Sequence, residues 1–299
     1  MIVRPKPNLI GILTSLKGSI AKRIAWRALM VTLLASAIVL VEMWHPSYFS
    51  KVSATPFTLL GLSLSIFMSF RNNACYDRWY EARKAWGDLL VGVRSLAREA
   101  QVIKEESERH SLLRNLCGFA HALNARLRKE DELAASGAWL DPVPKDTAGD
   151  LCGRILMQVG QRCSTLAESG AINEWRYTLM SNQLTRLTQV QAICERIKNT
   201  PLPFPYTLLL HRTIYLFCIL LPFAMAEPLG WMTPIFTAIV SYTFFGLDAI
   251  ADALEDPFGG DENQLPTDAL VRIIERDVLA AQGVSPLPPL LEPVDFVLS

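Results

Sequence analysis

The 299-residue chain lacks the common signatures of enzymatic chemistry. It has no GxSxG elbow, no phosphate loop, no HExxH and no glycine-rich dinucleotide fingerprint. Its six cysteines (Cys75, Cys117, Cys152, Cys163, Cys194, Cys218) include no CxxC pair, which argues against a zinc site or a disulfide framework and for reduced thiols facing a cytosol. Its four histidines (His45, His110, His121, His211) are too widely separated for metal-ligand spacing. The formal net charge is zero, so no overall basic field attracts nucleic acid. The basic N-terminal stretch has no small-residue cleavage site behind its apolar run, so no cleavable signal is expected. Internal repeats and low-complexity tracts are also missing. The chain does not read as an enzyme.

What the chain has is apolar length. Charged residues are 19% and hydrophobic ones 51%, with a mean hydropathy of +0.23. That is apolar for a soluble domain, though less extreme than a chain made only of membrane spans. Ile24–Trp44 has the length of a transmembrane helix, with Arg27 placed to snorkel and Trp44 at the far interface. Thr207–Ala226 is a second long run, and an EPLG turn leads to Trp231–Leu247. Pro56–Phe70 is shorter, with fifteen residues before the chain turns polar. Fifteen helical residues reach roughly 22 Å, against about 30 Å of hydrocarbon. Four buried helices of a soluble core are the competing reading. The first and third runs oppose it, being apolar on every face.

The basic residues set the orientation. Arg4, Lys6, Lys17, Lys22 and Arg23 precede the first segment, and Arg71, Arg78, Arg83 and Lys84 follow the second. The loop between them holds only Lys51, and the loop between the last two segments has no Lys or Arg. Both termini and the large insert are therefore expected on the cytoplasmic side of the membrane. Four regions follow: residues 1–70 with two membrane helices, a helical insert at 71–205, two more membrane helices at 206–247, and an acidic segment and tail at 248–299. In the insert, helical periodicity marks 82–106, 112–128, 151–168 and 171–199, with a turn-rich break after the second. The proline-rich end, GVSPLPPLLEPVDFVLS, reads as extended.

Leu62, Ile66 and Phe70 repeat every four residues on one face of the short segment, and Ser63, Ser65 and Ser69 lie on others. Spacing alone allows that face to meet lipid or another helix. A helix too short for lipid fits better inside a ring of subunits, where apolar side chains projecting inward can gate by dewetting. One such helix per chain then requires a homo-oligomer. His211 and Arg212 interrupt the third run and read as an anchor, against Asp77 or Glu81. After the fourth segment, Asp248, Asp252, Glu255 and Asp256 share a face, followed by Asp261, Glu262 and Asp268. Pairing with arginines of the insert ranks above metal binding, and the spacing does not match an EF-hand loop.

At FRNNACYDRWYEARKAWG (Phe70–Gly87), PLPFPYTLLLHR (Pro201–Arg212) and ALEDPFGGDENQLP (Ala253–Pro266) the chain resembles the bestrophin family in its bacterial branch. With the order of its hydrophobic segments, the resemblance spans nearly the whole chain. It implies an all-α membrane protein with four transmembrane helices and a large cytoplasmic helical region. Five copies would surround one axial pore in the bilayer. The neck would fall on Leu62, Ile66 and Phe70, and a second, cytosolic constriction near Met180. Animal members are calcium-activated chloride channels with dense carboxylates after the Pro-Phe-Gly segment. Here the run is thinned to GDENQ, which argues against calcium as a cofactor, with Asp256, Asp261 and Glu262 the residues a clasp would use. Bacterial relatives imply monovalent cations, sodium or potassium, as the permeant ions. A chloride channel of the same fold is the first alternative, and a secondary transporter or a membrane scaffold the others.

Overall fold

The computed structural model describes residues 1–4, 8, 18–45, 48–49, 52–143 and 149–299. Lys6, Lys17 and Lys51, three of the charges used for orientation, lie outside the described residues. Among the described residues the chain is all-helical, with β-pairing confined to isolated bridges joining Val297 to Ile2 and to Val294. The helices are α1 (Ala21–Trp44), α2 (Thr55–Ala100), α3 (Glu106–Arg128), α4 (Glu132–Ser136), α5 (Leu151–Glu168), α6 (Glu174–Asn199), α7 (Phe204–Leu229), α8 (Thr233–Glu255) and α9 (Thr267–Ala281). They form two compact units, one of residues 5–79 and 201–255, the other of 1–4, 80–200 and 256–299. Helix α2 supplies residues to both.

The first unit holds α1, the start of α2, α7 and α8. Two stretches, Ala21–Trp44 and Phe204–Glu255, are long and apolar enough to cross a membrane. Gly230, at φ 49°, turns the second into α7 and α8, a left-handed conformation that a Cβ would oppose. The core gathers Ile24 and Val31 of α1, Leu64 and Met68 of α2, Ile214 and Phe217 of α7, and Phe244 and Phe245 of α8. A Cβ on Gly61 would come within 3.0 Å of the Phe217 ring, so glycine lets α2 and α7 close on each other there. The outward faces stay apolar: Trp26, Leu33, Leu209, Leu216, Ile235 and Ile239 are exposed. A surface of this kind suits lipid or a second subunit.

The second unit is built around α3, buried from Ser111 to Ala125 on almost every face. Helix α2 reaches it without a break because no proline follows Pro56 along the helix and its polar half buries Trp86, Leu89, Val93 and Leu96. Side-chain caps start three helices. Asp131 accepts from the Leu133 and Ala134 N–H groups, Asp150 from Gly153 at 2.9 Å, and Asn173 from Arg176 at 2.9 Å. Arg126 gathers Glu132 at 2.9 Å, Asp150 at 2.6 Å and Glu195 at 2.6 Å. Helix α9 was not expected from the sequence; it buries Leu270, Val271, Ile274 and Val278 along one stripe.

Candidate functional site

The first twenty or so residues of α2 have two contrasting faces. Leu64, Met68, Arg71 and Cys75 form a fully or almost fully buried seam. On the other side Leu62, Ile66 and Phe70 are 61%, 48% and 60% exposed. Leu59, also 61% exposed, extends that line by one turn and went unnoticed in the sequence, where it sits beside Leu60. Its spacing of three from Leu62 was the available signal.

Arg71, one residue past Phe70, is completely buried. Its guanidinium donates to Asp248 Oδ1 at 2.6 Å and to Asp252 Oδ1 at 2.5 Å, with Glu255 Oε2 at 3.8 Å. Asp248 is likewise fully buried, whereas the Asp252 side chain is 42% exposed. The regular α8 helix brings these carboxylates together, because residues four apart share a face. This is the arginine pairing expected of the acidic stretch. Glu255 also accepts from the Leu202 N–H at 3.2 Å, and Arg78 Nε donates to the Glu255 carbonyl at 3.2 Å.

His211 belongs to the same cluster. Its Nδ1 lies 2.8 Å from Asp248 Oδ2 and its Nε2 3.8 Å from Asp252 Oδ1. The short contact is out of line for a hydrogen bond, so the buried Oδ2 of Asp248 has no hydrogen-bond partner. The expected partners of His211, Asp77 and Glu81, are corrected by this geometry: Glu81 is met by Arg196 at 2.5 Å, and His211 by the α8 carboxylates. Arg212 points outward and is exposed.

Met180 does not stand where a constriction needs it. Its side chain is fully buried within the second unit, while Leu179 beside it on α6 is 47% exposed and Trp175 is 81% exposed. A helix turns about 100° per residue, so the two neighbours cannot share a face. The acidic segment is also occupied. Asp256 Oδ2 pairs with Lys198 Nζ at 2.8 Å, and its Oδ1 accepts from the Phe258 N–H at 3.3 Å. The Asp261 N–H donates to Gln264 Oε1 at 2.6 Å. Among the described residues, the side chains of Asp256, Asp261 and Glu262 do not converge as a set of metal ligands.

Among the described residues, an all-helical chain with two stretches long and apolar enough to cross a membrane, and a buried charge cluster beside a shorter apolar helix, fits the integral membrane class. The pattern of the bacterial and fungal bestrophin proteins matches residues 1–280. The voltage-dependent anion channel-forming protein mll4386 of Mesorhizobium japonicum is 40% identical over 100% of this chain and 97% of its own length. Voltage-dependent anion channel-forming protein YneE of Escherichia coli K12 is 37% identical, over 96% of each. A crystal structure of a bacterial bestrophin homolog from Klebsiella pneumoniae superposes with a TM-score of 0.83 at 37% identity, covering 88% of this chain and 100% of that one. This chain belongs to the bestrophin family, a family of ion channels and not of enzymes.

Proposed function

We propose that the protein is a homopentameric channel for monovalent ions, with α2 of each copy lining one axial pore. In this reading residues 1–70 and 206–247 carry four membrane helices, and 71–205 and 248–299 are cytoplasmic. Leu62, Ile66 and Phe70 form the neck. The observation that carries the reading is the exposure of those three side chains on a helix whose opposite seam is buried. From Leu62 to Phe70 is eight residues, a constriction about 12 Å long. Apolar rings of that length resist wetting and so hold ions back without any charged gate. The cytosolic constriction falls on Leu179 in place of Met180, because Leu179 is the exposed aliphatic side chain beside the buried Met180.

The sign of the ion is a separate matter. The relatives' names favour anions, against the cations expected from the sequence. An apolar neck selects neither, so selection falls to charge elsewhere along the path. The cation reading retains one observation, the three carboxylates of α8 gathered around a single buried arginine. Purified protein in planar bilayers under a tenfold KCl gradient decides: currents reverse near about 59 mV, with the sign of the chloride potential for an anion channel and the opposite sign for a cation channel. Protein that is pentameric in detergent yet passes no current, even with Leu62, Ile66 and Phe70 all changed to alanine, would refute the channel reading.

A further inference from the structure

Helices α7 and α8 bring together three potential metal ligands that no part of the neck uses. One nitrogen of His211 and one oxygen from each of Asp248 and Asp252 all lie within 4.8 Å of one another. In a tetrahedral zinc centre, with metal–ligand bonds of about 2.0–2.2 Å, neighbouring ligand atoms stand about 3.3 Å apart. His211 Nδ1 stands 2.8 Å from Asp248 Oδ2, so that pair opens by about 0.5 Å around an ion, while the 3.8 Å contact to Asp252 Oδ1 is made by the other ring nitrogen, Nε2. Proximity alone would not make this a site, since carboxylates gather around many arginines. The second observation is the buried oxygen. Asp248 is completely buried, Arg71 takes its Oδ1, and its Oδ2 faces His211 with no hydrogen bond made. A buried carboxylate oxygen without a donor is costly, and a cation in front of it satisfies it.

We propose that His211, Asp248 and Asp252 bind a divalent transition-metal ion of the zinc class, with a water or a further group completing the shell. One imidazole and two carboxylates are a borderline-hard donor set that suits zinc better than calcium, which takes six or more oxygens. Arg71 becomes the outer-shell residue. It holds one oxygen of each aspartate and so presents the other, as ligating carboxylates commonly require. Its charge also opposes the metal, which keeps binding reversible and unlike that of a structural zinc. The Asp252 side chain is 42% exposed and His211 30%, so the ion enters from their side and need not pass Arg71. The site stands apart from the acidic segment at Asp256, Asp261 and Glu262, and it does not depend on whether the protein conducts.

The test uses the full-length protein in detergent, stripped with a chelator and then dialysed against zinc chloride, with metal and protein measured together. A single zinc ion per chain is expected, and cobalt(II) at the same site should give ligand-field absorbance of mixed nitrogen and oxygen ligation. His211→Gln and Asp252→Asn leave the Asp248–Arg71 pair untouched, and their folding is checked by thermal melting without metal. Each should weaken zinc binding at least tenfold. Wild-type protein that retains no stoichiometric zinc would overturn the proposal. Zinc held equally by both variants would overturn it too, by placing the ion on other histidines. Loss of current would not bear on either outcome, because the readout is binding.

Discussion

Removing one partner of the Arg71–Asp248 pair should be the most damaging conservative change in the first unit. Both side chains are fully buried and their contact is 2.6 Å. Breaking such a pair by truncating one member costs about 3–5 kcal/mol, because the other charge stays buried without compensation. The two halves should not cost the same. With Asp248→Leu, Arg71 keeps Asp252 at 2.5 Å and Glu255 at 3.8 Å, so the loss falls near the lower end. With Arg71→Met, Asp248 and Asp252 keep the His211 ring and Glu255 the Leu202 N–H, but the guanidinium all three share is gone, and the loss falls near the upper end. For a protein of this size 1 kcal/mol corresponds to roughly 2–4 °C in Tm, so Asp248→Leu should melt about 6–12 °C lower and Arg71→Met about 10–20 °C lower. The double variant Arg71→Met, Asp248→Leu replaces the buried pair with apolar groups and should recover most of the loss. Thermal melting in detergent, followed by tryptophan fluorescence, measures all three. Singles within about 2 °C of wild type, or a double variant whose loss is the sum of the two, would refute the account.

Replacing Leu62, Ile66 and Phe70 together with alanine should raise unitary conductance about tenfold, equivalent to about 1.4 kcal/mol off the barrier, and single-channel recording reads it. Unchanged current would mean that these side chains do not line the path. Burial pushes the Cys163 thiol up to about 11 and, with Glu195 and Glu81 nearby, that of Cys194 to about 12. At pH 8 a thiol at 11 is ionised about one part in a thousand, so maleimide should label both cysteines only after denaturation, as read by mass spectrometry. Burial works against ionising Asp150, but the Gly153 N–H and the Arg126 guanidinium outweigh it and hold the carboxyl below the usual range. A depressed carboxyl stabilises the fold above its unfolded pKa, near 3.9, and that stability is lost as pH falls through the folded value. Asp150→Asn keeps a capping oxygen, so it should melt lower than wild type at pH 7, with the difference shrinking below about pH 4. A difference that persists in acid would refute the assignment.

Much of this arrangement can be read in the sequence because membrane helices and apolar seams are written in local periodicity. The line Leu62, Ile66, Phe70 needs only a spacing of four, and the run without proline after Pro56 shows that α2 continues past its apolar part. What local pattern does not show is which residues meet from afar. Arg71 reads as one more positive flank, yet it is the buried centre of a cluster drawn from α7 and α8, some 140 and 177 positions away. His211 was given the wrong partners for the same reason. Met180 and Leu179 are both apolar and adjacent, and only the packing of α6 decides which of them turns inward. Helix α9 was overlooked because its charged residues mask an apolar stripe that needs α3 to bury it.

The neck and the charge cluster are joined by helix geometry. Phe70 and Arg71 are consecutive, so they stand about 100° apart at the same level of α2. Arg71 is clamped by Asp248 and Asp252 on α8, which fixes the rotation of α2 about its own axis at the point where the apolar face ends. With side-chain tips roughly 5–6 Å from the axis, a rotation of 10° moves each tip by about 1 Å. In the proposed pentamer a tip aimed about 45° off the pore axis carries roughly 0.7 Å of that shift along the radius, or about 1.4 Å across, half the width of a water molecule. A channel with an apolar neck needs no charged side chain in the pore to be regulated. It needs a rigid reference for the rotation of its lining helix, and in the proposed channel Arg71 supplies one from the buried side.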